Sequence, residues 1–96
     1  MLSEIPVNLG KVSKEDIKKE LLRVAMIAEL DAVSLYEQLA AMTDDKDLKK
    51  LLLDVAKEEK THFGEFQALL LRLDSEQVKE LEEGRKEVEE LLGKQD

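Results

Sequence analysis

The sequence predicts an all-α fold: a long antiparallel helix hairpin with a shorter third helix, dimerising into a four-helix bundle. Three observations predict it. Charged residues make up 40% of the chain and aromatics only 3%, with one Pro and no Trp; such a mixture of Ala, Glu, Lys and Leu belongs to helices. Apolar residues recur at steps of three and four through two long stretches, and no alternating β run of convincing length follows residue 12. Only Thr43, Asp44 and Asp45 separate those stretches, so two long helices must fold back on each other.

Residues 1–12 read as an extended arm. Leu2, Ile5, Val7, Leu9 and Val12 are too few to fold alone, and Pro6 and Gly10 break any helix. The arm is expected to pack on its own or a neighbouring subunit. The helical domain then covers 13–93, and 94–96 is a tail. Helix one starts at Ser13, with Asp16 three residues on in a capping-box pattern, and runs to about Met42. One of Thr43, Asp44 and Asp45 caps helix two, which runs from about Lys46 to Leu73. Asp74 caps helix three with Gln77 completing the box, and this helix ends near Leu92, before Gly93. Each long helix spans on the order of 40 Å.

The apolar inventory exceeds what one hairpin can bury. Beyond the seams, Leu21, Ile27, Leu30, Val33 and Leu35 are left over on helix one, and Leu51, Leu53, Phe63 and Leu70 on helix two. Helix three offers only Val78, Leu81, Val88, Leu91 and Leu92, interrupted by Gly84, and can cover part of the face. Self-association as a two-fold dimer is the simplest outcome.

Composition also excludes function classes. Without Cys there is no disulfide, zinc ribbon, iron–sulfur cluster or rubredoxin-type site. A net charge of −8 argues against nucleic acid, which needs a basic face. It suits attraction of cations, or simply solubility. No apolar run is long enough for a membrane span. Met1 to Val12 lacks the basic start and apolar block of a signal peptide, and the expected setting is cytoplasmic.

The informative residues are those that break the apolar seams. Leu48, Leu52, Val55, Glu59, His62, Phe66, Leu69 and Leu73 step alternately by four and three, keeping one stripe of helix two toward a partner. Six are apolar; the other two form a Glu-x-x-His pair, one turn apart. Helix one repeats the anomaly, with Glu29 inside the stripe Leu22, Ala25, Glu29, Ala32, Tyr36 and Leu39. An uncompensated carboxylate in a core costs several kcal/mol, and a metal ion would compensate it.

Taken singly, Glu29 reads better as a carboxylate reaching water at the bundle edge than as a ligand. His62 alone reads as a core histidine bonded to a helix carbonyl. Together with Glu59 they form half of a set used by di-iron bundles, in which two helices each give a Glu and two each give a Glu-x-x-His. A two-fold axis would double them to four carboxylates and two histidines, so the dimerisation that buries the apolar face would also complete the metal site. The imidazole favours iron, manganese or zinc over calcium and magnesium. Glu58 and Glu65 fit a solvated helix face. Asp44, Asp45 and Asp47 lack the Gly and distal Glu of a calcium loop.

The stretches IAELDAVSLYEQ (27–38) and VAKEEKTHFGEF (55–66) give the chain, over residues 13–92, a resemblance to the encapsulated ferritins. These are short ferritin-like proteins housed in encapsulin shells. The chain is especially similar to the ferritin-like domain at the front of some archaeal encapsulin polypeptides. The resemblance implies a ferritin-like bundle whose metal ligands are Glu29, Glu59 and His62, with Tyr36 beside the metal. It implies a di-iron site shared across a homodimer, a decamer built from five dimers, and ferroxidase activity. Ferrous iron would be oxidised with dioxygen and ferric iron passed into the lumen of an encapsulin nanocompartment in the cytoplasm. Glu29 and Glu59 would hold and bridge the irons, and His62 would complete the ligand set. Tyr36 would bond a ligand or supply an electron, or simply pack. The chain departs from the family pattern at Leu35, where an aromatic usually precedes the Tyr, and at Ala28 and Asp31, which fall on the family's outer acidic positions. The GKQD tail does not resemble an encapsulin-targeting peptide.

Two rival readings stand beside this one. The first is a small di-iron peroxidase or oxidase related to rubrerythrin, although the chain lacks the Cys of the electron-transfer site such enzymes often carry. The second is a non-enzymatic helical assembly or cargo module with a structural metal.

Overall fold

The computed structural model describes residues 8–95. Among them are three α-helices and no strand, as the sequence predicts: α1 (Ile17–Ala41), α2 (Lys46–Leu73) and α3 (Ser75–Leu92). The expected arm falls largely on residues 1–7, outside the described residues. Its described end is not extended, because Leu9–Lys11 form a short 3-10 turn.

The helix ends follow side-chain chemistry. α1 begins four residues later than Ser13. The Ser13 hydroxyl donates to Asp16 Oδ2 at 2.9 Å, and the Asp16 N–H reaches the Ser13 carbonyl at 3.1 Å. Ser13 is thereby spent on a turn rather than on a free helical N–H, and the first α-type bond runs from the Glu20 N–H to the Asp16 carbonyl at 3.0 Å. In the connection, Asp45 caps α2 by accepting from the Leu48 N–H at 2.9 Å, while its own N–H bonds the Thr43 hydroxyl oxygen at 3.1 Å. Asp74 caps α3 by accepting from the Gln77 N–H at 3.0 Å. α3 continues unbroken through Gly84, so that glycine interrupts the apolar pattern and not the helix. Gly93 ends it with φ +84°, a conformation open to glycine, and donates to the Glu89 carbonyl at 2.8 Å.

The core of the hairpin is thin. Among the described residues the buried apolar side chains are Leu22, Val33 and Ala40 of α1 with Ala56 and Leu70 of α2. Val33 and Leu70, left over by the stripe pattern, are in this core, whereas Leu39, Leu48, Leu69 and Leu73 of the stripes are exposed. On α2 the buried Ala56 and Leu70 each lie one residue beyond a stripe position; on α1 the reason is helix geometry. A strict three-four stripe has a period of 3.5, but a straight α-helix turns every 3.6 residues, so the line of contact drifts off the stripe by about 20° per heptad. On α1 that line passes through Leu22, Glu29, Val33 and Ala40. Glu29 therefore belongs to both lines.

Leu21, Ile27, Leu30, Leu51 and Leu53 are exposed, as are all five apolar residues of α3. Leu35 and Phe63 are half-buried. The single chain thus leaves the broad apolar face that the sequence predicts. α3 covers only one end of it: the molecule extends 47 × 42 × 20 Å because α3 turns away from the hairpin instead of lying along it. Among the described residues two charged ones are buried, Asp74 at the corner and Asp31 on α1. The burial of Asp31 sets it apart from the outer position that the resemblance implies.

Candidate metal centre

α1 brings Glu29 to the middle of the hairpin, and α2 brings Glu59 and His62 opposite it. The short connection sets that register, and the one-turn spacing aims both α2 side chains the same way. His62 Nδ1 lies 3.5 Å from Glu29 Oε2 and 3.5 Å from Glu59 Oε2. One donor atom from each of the three lies within 4.8 Å of the others. The carboxylates are mostly shielded, with side-chain exposures of 18% for Glu29 and 19% for Glu59, while His62 is 44% exposed. The cluster therefore has a closed floor and an open mouth.

Its electrostatics are unbalanced. Hydrogen bonding to Glu59 raises the Glu29 pKa above the ordinary carboxylate value; lost hydration and the Glu59 charge add to this, and His62 opposes it. Lost hydration alone would lower the His62 pKa. The charges of Glu29 and Glu59, a hydrogen bond with Glu59 and the field of Glu65 outweigh it, and the net shift is upward. Glu65 and Glu58 are both exposed, as a solvated face requires. Lys60 and Glu37 form a surface pair at 3.3 Å between the two helices.

Glu29 Oε2 is buried and has no hydrogen-bond partner. Leaving a buried acceptor unsatisfied costs about 1–3 kcal/mol. The orphaned oxygen shares its small space with a second carboxylate and an imidazole nitrogen, a mixed oxygen and nitrogen donor set that fits a divalent transition metal. Three donors from one chain leave positions open for water, substrate or a second copy.

The predicted ligands Glu29, Glu59 and His62 are therefore brought together. Tyr36 is half-buried on α1, seven residues beyond Glu29, so that their backbone positions are roughly 10 Å apart along the helix axis. The sequence reading gave Asp74 only the role of a cap; its ion pair with Arg23 at 3.2 Å joins residues far apart in the chain, and no local pattern announces it. Asp44, Asp45 and Asp47 are exposed around the connection, with Asp45 serving as a cap.

The sequence pattern of the rubrerythrin family matches residues 20–92. The chain is 55% identical over 95 residues to a ferritin-like–encapsulin shell fusion protein of Pyrococcus furiosus, covering 97% of this chain and 28% of that protein. It is 42% identical over 57 residues to the encapsulin nanocompartment cargo protein EncC of Myxococcus xanthus, covering 59% of this chain and 44% of the relative. The chain thus spans less than half the length of these curated relatives. The crystal structure of the encapsulated ferritin domain from Pyrococcus furiosus superposes with a TM-score of 0.84 at 52% identity, with both chains fully covered. The chain belongs to the rubrerythrin family, as one of its ferritin-like, encapsulated-ferritin members.

Proposed function

We propose that the chain is a ferroxidase, taking ferrous iron as substrate at a di-iron site completed by two copies of the chain. The observation that carries this reading is the orphaned Glu29 Oε2 directed, with Glu59 and His62, at one small space. Family membership makes iron the first metal to test, and the two relatives, one an encapsulin fusion and the other an encapsulin cargo protein, support the compartment as the setting.

In this reading Glu29 and Glu59 hold iron through oxygen and His62 through nitrogen. Two ferrous ions would each give one electron to dioxygen, which takes up two protons from water and departs as hydrogen peroxide, and the irons would leave as ferric ions. The carboxylates offset the rise in positive charge on oxidation, and the exposed side of His62 gives ions a way in and out. The open positions admit the oxidant. A homodimer would supply four carboxylates and two imidazoles, a decamer by family resemblance would group such sites, and an encapsulin shell in the cytoplasm would receive the product.

The test is to load the chain with ferrous iron without oxygen, add dioxygen, and follow ferric absorbance together with oxygen uptake. Oxidation well above that of iron in buffer, lost in Glu59→Gln, supports the reading. Equal rates with and without protein would contradict it. The rubrerythrin match gives one alternative weight, a peroxidase; oxidation much faster with hydrogen peroxide than with dioxygen would favour it.

A further inference from the structure

At the corner between α2 and α3 one carboxylate serves two helices. Asp74 is only 8% exposed. Its Oδ1 accepts from the Gln77 N–H at 3.0 Å, and its Oδ2 accepts from Arg23 Nη2 of α1 at 3.2 Å. The other guanidinium nitrogen, Nη1, is 3.7 Å from Glu20. Asp74 is also the single residue between two helices, with φ −134° and ψ 88°. Its two backbone dihedrals therefore set where α3 goes.

Little else ties α3 to the hairpin, since Val78, Leu81, Val88, Leu91 and Leu92 are all exposed. Arg23, Gln77 and Leu81 instead line, together with Met26, Phe63 and Leu70, an open groove of about 460 Å³. A charge-assisted bond to a nearly buried carboxylate is stronger than an exposed surface pair. Its partner lies 51 residues away in sequence, so the bond acts on the angle between elements and not on any one helix.

We propose that Arg23 and Asp74 form a corner latch. The latch fixes the angle at which α3 leaves the hairpin, and thereby decides which apolar faces are offered to a second copy of the chain. It involves no residue of the metal cluster, but it shares with the ferroxidase reading the premise that copies of the chain associate; the α1–α3 distance within one chain tests the latch apart from that premise.

The test uses the full chain. Asp74→Asn keeps a good capping side chain but removes the charge. Arg23→Gln removes the other charge, and Arg23→Lys restores it. Because the chain has no Cys, spin labels can be placed on cysteines introduced at the exposed positions 34 and 90. Labelled chains diluted into unlabelled copies report the α1–α3 distance, circular dichroism reports helix content, and native mass spectrometry reports assembly. The latch predicts one narrow distance in the unaltered chain. In Asp74→Asn and Arg23→Gln the distance should broaden and the mass distribution shift, with helix content kept and Arg23→Lys largely restoring both. Unchanged distances and masses in the two charge-removing variants would overturn it. So would changes that merely track lost helix content.

Discussion

His62 Nδ1 lies 3.5 Å from Glu29 Oε2 on the opposing helix, and that oxygen is buried with no hydrogen bond of its own. A thin core carrying such an atom is built at a cost in stability. The cost makes sense if the cluster is kept for binding, and that trade gives the first prediction.

Glu29→Met should stabilise the metal-free protein and abolish metal binding together. One oxygen of this carboxylate is buried and unsatisfied; an apolar side chain of similar length removes a penalty of about 1–3 kcal/mol, partly offset by the hydrogen bond that Glu59 loses. The check is thermal unfolding of both proteins with a chelator present, followed by a metal titration. A variant less stable than the parent without metal would show that Glu29 is a structural member of the core.

His62→Ala should weaken iron binding by about a hundredfold or more while leaving helix content intact. Even outer partners of metal ligands are typically worth 10–100-fold in affinity, and His62 supplies the nitrogen donor of the cluster. Its 44% exposure means that truncation leaves only a shallow gap. Calorimetric titration checks this, and unaltered affinity would remove His62 from the ligand set.

Proton competition sets the pH dependence. In the metal-free fold both Glu29 and His62 hold protons to a higher pH than their ordinary values. A raised folded pKa contributes stability that is complete below the unfolded pKa and is lost as pH rises through the folded one. The window therefore opens at ordinary carboxylate pH for Glu29 and near 6.5 for His62. Metal binding must displace the same protons and strengthens over the same rise. The metal-free protein should lose some stability across this range while the metal-loaded protein gains. His62 is the only histidine, so one imidazole resonance in the metal-free chain reports its titration. A midpoint at or below 6.5 would contradict the raised pKa.

Gly84→Ala should raise stability by about 0.5–1 kcal/mol. Gly84 lies inside α3, and a Cβ added there meets nothing within 4 Å. Thermal unfolding at several protein concentrations checks it. A loss of stability that grows on dilution would place a second chain against this position.

The three helices, two of their caps and the Glu29, Glu59 and His62 cluster were legible because each rests on local spacing. Asp45 and Asp74 cap where their side chains precede helical N–H groups, and an acid or imidazole inside an apolar stripe is visible without coordinates. What was not legible depends on geometry between elements. Val33 is buried because the straight α1 drifts off a 3.5-residue stripe, and Leu70 because the face α2 turns to α1 lies one residue round from its stripe. α1 starts late because the Ser13 hydroxyl turns to Asp16 instead of a helical N–H. The direction of α3 depends on Arg23 meeting Asp74 across the fold, a pairing that no sequence period encodes.

The central claim is that two copies of the chain share a di-iron site. The most direct measurement is an anaerobic ferrous titration with the native mass read at each point. The account predicts saturation at about one iron per chain, filled in pairs and only in even-numbered assemblies. Tight binding by monomers, or no tight binding at all, would contradict it.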